Sequence, residues 1–378
     1  MEGREVDMRI IIAGGGTGGH IFPALAIAQA LKNKVHDVEI LFVGAKGKME
    51  MEKIPAAGYK IEGLDIAGYN RSSLIKNVGL PLKLVKSFLQ VRRIFKSFKP
   101  DAVIGVGGYS TFPVLRYAQN KGIPSFIHES NSLPGKSNIM LGKRATEIFV
   151  PSEGMEKYFP AKRIMITGNP VRKIFLQKTD KEQALKFFGL RPDLKTVFVM
   201  GGSLGAKSIN EAVEENIDAF KKNELQLIWQ TGKSFSGKAA KQEEERNNIW
   251  TNAFIDKMEN AYAAADVVVA RSGAMTVAEM CVVGKPAIFV PYPFAAEDHQ
   301  TVNAMVLVNK KAAMIVPDAK VKSELFPCLL HLINDEPLMK ELGNNASKLG
   351  NSNADEIIAA EILKQIESSK KQESRIKN

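Results

Sequence analysis

The sequence predicts an α/β protein of two Rossmann-like, doubly wound domains facing each other across a cleft, and three observations lead there. The apolar run Arg9-Ile10-Ile11-Ile12-Ala13 feeds into Gly14-Gly15-Gly16-Thr17-Gly18-Gly19-His20. A second run, Thr196-Val197-Phe198-Val199-Met200, feeds into Gly201-Gly202-Ser203-Leu204-Gly205-Ala206-Lys207-Ser208. Each reads as a buried parallel strand, a glycine turn and a helix, and such turns put backbone N–H groups at a positive helix end, where phosphate can sit. Between the two, Thr167-Gly168-Asn169-Pro170-Val171-Arg172 breaks regular structure, after which the alternation restarts. The expectation is a phosphorylated ligand held between two domains.

In the first half, strands are expected at 10–13, 40–43, 102–106, 125–128 and 147–150. They are short apolar runs of the kind buried on both faces of a parallel sheet. Helices are expected at 23–32, 83–98, 111–120 and 137–141, and this alternation places helices on both faces. The second half repeats the pattern with strands at 196–200, 225–230, 250–254, 267–270, 287–290 and 313–316. The division expected is 1–168, 169–350, and a C-terminal helix and polar tail at 351–378 that packs back toward the first domain. Residues 1–7 read as an extension, since Met8 abuts the first strand.

A chain of 378 residues that is 45% hydrophobic can build two cores. No apolar run approaches a membrane span, and the apolar stretch after the polar start is too short for a signal segment, so a cytoplasmic protein is expected. Cys281 and Cys328 lack CxxC spacing and read as reduced core residues, which argues against a disulfide framework or a zinc site. The net charge of +11 is uneven: residues 1–169 carry 24 Lys/Arg against 14 Asp/Glu, the remainder 28 against 27. A one-sided positive field suits an anionic surface or polymer. Phospholipid ranks above nucleic acid, because no zinc finger, RNP-like aromatic motif or basic reading helix is present.

The first glycine turn departs from a dinucleotide fingerprint in two ways. The second strand ends Leu41-Phe42-Val43-Gly44-Ala45 without an acidic residue for a ribose, and the turn ends in His20 rather than a third glycine. At the start of a helix the dipole disfavours imidazolium, so His20 suits a proton acceptor at the mouth of the cleft, though it also suits a plain cap. Gly105-Val106-Gly107-Gly108-Tyr109-Ser110-Thr111 and His128-Glu129-Ser130-Asn131 put further polar groups at neighbouring strand ends, where doubly wound sheets bind ligands. In the second half, Arg271-Ser272-Gly273 opens a helix able to hold phosphate, with Glu279 two turns on and able to accept from a ribose diol. Alone, Glu279 also fits a solvated helix face. The amides of Gln300 and Asn303 in the following segment suit sugar hydroxyls.

The motifs GGGTGGHIFPALAIA, GVGGYSTFP, HESN, GNPVR, GGSLGAKSIN, FIDKM, RSGAMTVAE and DHQTVNA, in this order over residues 10–363, resemble the MurG family of peptidoglycan N-acetylglucosaminyltransferases. Each loop is unspecific and the joint pattern is highly specific. The resemblance implies the GT-B fold, with the acceptor on the first domain and UDP-N-acetylglucosamine on the second. It implies donor contacts from Thr17, Gly18, Arg172, Ser203, Ile255, Ser272, Gly273, Glu279, Gln300 and Asn303. Among these, the Ile255 backbone would meet the uracil edge, Glu279 the ribose hydroxyls, Ser203 with the Ser272-Gly273 turn the diphosphate, and Arg172 the leaving group. Acceptor contacts would come from Gly16, Gly108, Tyr109 and Asn131, and His20, Glu129 and Asn131 would serve catalysis.

The reading is an inverting transfer from UDP-N-acetylglucosamine to the C4 hydroxyl of the muramoyl sugar of undecaprenyl-linked lipid I, forming lipid II for peptidoglycan synthesis. The enzyme must align one hydroxyl with the anomeric carbon, take its proton and stabilise departing UDP. No Asp-x-Asp triplet occurs, so helix N-termini and Arg172, rather than a tightly bound metal or other cofactor, are expected to hold the leaving group. His20 is the first choice of base and Glu129 its competitor. Rival readings are a diacylglycerol glycosyltransferase, a UDP-N-acetylglucosamine 2-epimerase and a nucleotide-sugar sensor. The implied setting is the cytoplasmic face of the plasma membrane, held peripherally, with cell-wall synthesis proteins as partners and no nucleic acid. Leu74, Ile75, Val78, Leu80 and Leu82 among Arg71, Lys76, Lys83 and Lys86 are expected to form the membrane face, broken by Gly79 and Pro81. Val85, Phe88, Leu89, Val91, Phe95 and Phe98 are expected to be the core face of an amphipathic helix.

Overall fold

The computed structural model describes residues 8–68, 79–177, 179–202 and 204–377. The chain divides into two compact units, the first ending at Val171 and regaining the chain from Asn353, the second being Arg172–Ser352. The first holds seven strands, β1 Met8–Ala13, β2 Val38–Ala45, β3 Lys60–Leu64, β4 Ala102–Gly105, β5 Ser125–His128, β6 Glu147–Val150 and β7 Ile164–Ile166. Their spatial order is β3-β2-β1-β4-β5-β6-β7 and every pairing is parallel. The order reverses between β1 and β4, which creates a crevice at their carboxyl ends. The helices are α1 Gly18–Lys34, α2 Glu50–Ala56, α3 Leu80–Phe98, α4 Thr111–Asn120 and α5 Lys136–Gly142.

The second unit carries β8 Lys195–Met200, β9 Leu225–Gln230, β10 Ile249–Asn252, β11 Val267–Ala270, β12 Ala287–Phe289 and β13 Met314–Ile315, ordered β10-β9-β8-β11-β12-β13 and parallel. Its reversal falls between β8 and β11. Around this sheet lie α6 Lys181–Phe187, α7 Lys207–Glu215, α8 Ile217–Lys222, α9 Ser236–Glu245, α10 Met258–Ala264, α11 Ala274–Val283, α12 His299–Asn309, α13 Val321–Asn334 and α14 Glu336–Leu349. The last helix, α15 Ala354–Lys377, belongs to the first unit. Its stripe Ile358, Ala359, Ile362 and Ile366 is buried in one cluster with Ile10, Ile21 and Ile27.

Several elements differ from expectation for identifiable reasons. The edge strands β3 and β7 are inconspicuous in sequence, since β3 reads Lys-Ile-Glu-Gly-Leu and the apolar β7, Ile-Met-Ile, spans only three residues. Helix α1 begins at Gly18, earlier than its apolar pattern, and contains Pro23. Proline cannot donate to the carbonyl four residues back, and that carbonyl, Gly19 O, accepts instead from Ser130 Oγ at 3.4 Å. Pro81 sits in the first turn of α3, where a missing N–H costs nothing.

The expected core face of α3 is corrected. Ser87, Val91 and Phe95 are buried, whereas Val85 and Leu89 are 60% and 54% exposed and Leu82 is 77% exposed. The helix carries apolar residues on two faces and only one packs, with Phe95 edge-on to Tyr117 and Phe88 edge-on to Phe112 of α4. Among the described residues no helix is long and apolar enough to cross a membrane.

Candidate active site

In the first unit the glycine turn after β1 is already filled. Gly14 N donates to Val43 O (3.1 Å), Gly15 N to Gly107 O (3.0 Å) and Gly16 N to Glu50 Oε2 (2.7 Å). Glu50, 1% exposed, also accepts from Ala45 N at 3.0 Å. The expectation of a phosphate cradle at these three N–H groups is therefore corrected: a buried carboxylate and two carbonyls occupy them. An acidic side chain does reach the end of β2, but α2 supplies it and the backbone uses both its oxygens.

The turn after β4 closes onto the turn after β1. Gly108 has φ 96°, and a Cβ there would stand 2.5 Å from Gly15 O. Gly107 has φ 95°, and a Cβ there would stand 2.7 Å from His20 Nε2. Only glycine permits both the backbone and the approach. His20, half-buried in the first turn of α1, has Nδ1 2.8 Å from Gly15 O. A carbonyl only accepts, so Nδ1 carries the hydrogen and Nε2 keeps the lone pair in the neutral ring. Thr17 caps α1 with extended backbone, followed by Gly18, and Tyr109 is 49% exposed against Gly68.

Glu129 is buried and its oxygens are surrounded by donors. Oε1 accepts from Asn131 N (3.0 Å) and Asn131 Nδ2 (3.3 Å); Oε2 accepts from Asn138 Nδ2 (2.8 Å) and Gly135 N (3.2 Å). It shapes the loop that presents Asn131. Its neighbour His128 is wholly buried with both ring nitrogens unpartnered, and Asn169 donates its amide to Ser130 O at 2.8 Å. Burial foremost, and the His20 imidazole second, push His128 down to about 3, so it is neutral at any ordinary pH.

In the second unit the glycine turn after β8 locks onto the turn after β9. A Cβ on Gly205 would stand 2.1 Å from Thr231 O, and one on Gly232 2.3 Å from Leu204 O. Gln230, buried at the end of β9, gives Nε2 to Gly202 O (3.1 Å) and accepts at Oε1 from Ile255 N (2.9 Å). The Ile255 N–H is thus committed, and its carbonyl is the group left for a base edge. Ser203 lies outside the described residues, as do Leu74, Ile75, Lys76 and Val78 of the expected membrane face. Leu80 is half-buried and Lys83 exposed.

The turn after β11 leads into α11 through Gly273. Ser272 is fully buried and its hydroxyl donates to Gln300 O (2.8 Å), so this turn offers an anion the N–H groups of the first helical turn rather than a hydroxyl. Asn303, 2% exposed, reaches Ser272 O at 3.4 Å, and Gln300 Oε1 accepts from Tyr292 N at 2.9 Å. Contrary to its expected place on the sugar, Asn303 holds the turn in position. Arg271 is a further tie, with Nη1 on Asp318 (2.5 Å) and Val290 O (3.0 Å) and Nη2 on Ser208 Oγ (2.9 Å).

Glu279 is half-buried on α11 and accepts at Oε2 from Tyr262 Oη (2.6 Å), which leaves Oε1 to accept from a ligand. Burial raises its pKa, opposed by the Tyr262 hydroxyl and the Arg172 charge. Arg172 lies over the Phe175 ring at 4.5 Å, and Phe175 meets Tyr262 edge-on at 5.3 Å. Glu50, Gln230 and Tyr262 escape a reading of the sequence, because each acts on a partner 17 to 34 positions away that no local spacing marks.

Two family models match the chain, the glycosyltransferase family 28 N-terminal domain over residues 10–150 and the C-terminal domain over 196–357. The chain is 46% identical over 362 residues, 95% of its length and 98% of the relative's, to the UDP-N-acetylglucosamine–N-acetylmuramyl-(pentapeptide) pyrophosphoryl-undecaprenol N-acetylglucosamine transferase of Parabacteroides distasonis. Among solved structures it is similar to MurG of Acinetobacter baumannii, with TM-score 0.78, 29% identity and 94% and 99% of the two chains covered. A UDP-GlcNAc 2-epimerase from Neisseria meningitidis shares the fold at TM-score 0.65 and 16% identity, covering 94% and 100%.

Proposed function

The chain belongs to glycosyltransferase family 28, and on that premise we infer that it moves N-acetylglucosamine from UDP-N-acetylglucosamine to the muramoyl sugar of lipid I, forming lipid II in peptidoglycan synthesis. The near full-length relationship to transferases of that name carries the reading. The fold is GT-B, two parallel-sheet Rossmann-like domains. UDP-N-acetylglucosamine is a substrate, not a cofactor.

The first unit is assigned the acceptor and the membrane, the second the nucleotide. Glu279 Oε1 takes the ribose diol, the Ile255 carbonyl the uracil N3–H, and the α11 N–H groups with Ser203 and Arg172 the diphosphate. Gln300 contacts the sugar and Asn303 supports it through Ser272, while Thr17 and Gly18 add donor contacts. Gly16, Gly108, Tyr109 and Asn131 serve the acceptor. The bond from the anomeric carbon to the C4 oxygen forms as that from the anomeric carbon to phosphate breaks, with inversion. His20 Nε2 takes the hydroxyl proton, supported by its Nδ1–H contact to Gly15 O. Glu129 is the weaker base, since four donors already surround it. Charge appearing on UDP is met by Arg172 and the helix start, with no tightly bound metal assigned.

The enzyme works peripherally at the cytoplasmic face of the membrane, near cell-wall synthesis proteins. Leu82, Val85 and Leu89, exposed on α3 beside Lys83 and Lys86, support this. The test is incubation with UDP-N-acetylglucosamine and a short-chain lipid I analogue. A product heavier by one N-acetylhexosamine, formed one-for-one with UDP, is expected. Epimerised donor with unchanged acceptor would overturn the reading.

A further inference from the structure

We propose that Asp318 is a positioning residue for the donor's diphosphate: through Arg271 and Ser208 it fixes the spacing between the two turns that flank the β8/β11 crevice. The proposal rests on the donor reading above and adds a residue that acts through others. Asp318 opens a short helical turn, Asp318–Lys320, just after β13. Its Oδ1 accepts from Arg271 Nη1 and from Ser208 Oγ, both at 2.5 Å, while Ser208 Oγ in turn accepts from Arg271 Nη2 at 2.9 Å. The three side chains close a ring of hydrogen bonds, and those of Arg271 and Asp318 are only 11% and 19% exposed.

The ring draws together segments that lie far apart in the chain. Ser208 is in the first turn of α7, after the glycine turn of β8; Arg271 follows β11; Asp318 follows β13. Arg271 Nη1 also donates to Val290 O (3.0 Å) and Pro291 O (3.1 Å) just past β12, so the neighbouring strands β8, β11, β12 and β13 are all tied at their carboxyl ends. The residue after Arg271 is Ser272, held to Gln300 O, and the next is Gly273, which caps α11. Whatever fixes Arg271 therefore fixes where the α11 N–H groups point, and Ser208 ties that position to the turn after β8.

Two roles for the ion pair predict opposite signs. Were Arg271 a phosphate ligand held back by Asp318, removing the carboxylate would leave a bare cation beside the crevice and tighten UDP. The contacts point the other way, because Nη1 and Nη2 are already turned on four protein oxygens. A largely buried guanidinium keeps such an arrangement only while a carboxylate balances its charge, so losing Asp318 loosens both walls of the crevice and weakens UDP.

The test measures inhibition constants of UDP and of uridine against transfer to a short-chain lipid I analogue, for the full chain as wild type, Asp318→Asn, Ser208→Ala and the double variant. Asparagine keeps the size and an acceptor oxygen but not the charge, and uridine reads the base and ribose contacts without the diphosphate. Asp318→Asn should weaken UDP by about 5- to 20-fold and uridine by less than about 2-fold, with the acceptor KM unchanged. Ser208→Ala leaves the ion pair in place and so tests the spacing even if Asp318→Asn does not fold; it should weaken UDP by about 3- to 10-fold. The double variant should lose less than the product of the two single losses, since both changes open one ring. UDP bound by Asp318→Asn as tightly as by wild type, or more tightly, would overturn the proposal. So would unchanged UDP affinity in Ser208→Ala, or equal losses of UDP and uridine, which a general loosening of the second unit would give. Wild-type protein that holds UDP no more tightly than uridine would instead overturn the diphosphate placement on which the proposal rests.

Discussion

After β1, in the first unit, three successive glycine N–H groups end on Val43, Gly107 and Glu50, and the turns flanking the β1/β4 crevice close on each other backbone to backbone. After β8, in the second, the glycine turn is locked instead to its neighbour after β9, while the turn after β11 is tied to α12 through Ser272, Gln300 and Asn303. The β8/β11 crevice is spanned by a side-chain bridge, Arg271 to Ser208, rather than by backbone. The two sequences promise the same strand, turn and helix, and the turns form in both. What differs is which neighbour each turn leans on and which of its backbone groups are used in doing so.

The largest effect expected from this contrast lies in the first unit's chemistry. His20→Ala should lower kcat by about 10²- to 10⁴-fold with UDP binding unchanged. Loss of UDP binding instead would break the contrast, since the first unit's turn would then be holding nucleotide. In the second unit, Glu279→Ala should raise the donor KM by about 10- to 200-fold and barely move the acceptor KM. Because burial raises the Glu279 carboxyl, wild-type UDP affinity should fall on acidification from above the usual carboxylate range, and the variant should lose that dependence. A flat wild-type profile in a titration of UDP affinity against pH would remove Glu279 from the ribose.

A third effect concerns stability and belongs to the first unit alone. His128 is held at about 3 in the folded protein and returns to its ordinary value near 6.5 on unfolding. Between those values the unfolded chain binds a proton that the folded one does not. Stability is therefore full above about pH 6.5 and falls as pH drops, by roughly 1.4 kcal/mol per unit, or about 2 kcal/mol by pH 5. Denaturant melts of wild type and His128→Gln at neutral pH and pH 5 should differ by this slope; parallel losses would show that other groups carry the acid sensitivity. Tyr262→Phe is the smallest: with Glu279 no longer held, donor KM should rise by about 3- to 10-fold with kcat nearly kept. An equal fall in kcat would place Tyr262 in the chemical step.

The central strands were legible because β1, β8, β9 and β11 each hold a run of three or four consecutive apolar residues buried in the sheet. The edges were not: β3 alternates polar and apolar residues and β7 is three residues long. On α3 the apolar residues divide between two faces, since Val85 and Leu89 sit about 120° round the helix from the buried Val91 and Phe95. The motifs located His20 in the first turn of α1, Glu129 just past the end of β5 and Glu279 within α11, the helix that follows β11. Their partners were illegible, because Glu50 against Gly16, or Tyr262 against Glu279, depends on how distant segments pack.

Hydrogen exchange of the full chain with and without UDP tests the central claim most directly, that the nucleotide is bound by the second unit's turns and not by the first unit's glycine N–H groups. The account predicts slowed exchange in peptides spanning residues 254–256 and 272–279, with peptides spanning 14–16 unchanged. Slowed exchange at 14–16, with 272–279 unaffected, would contradict it.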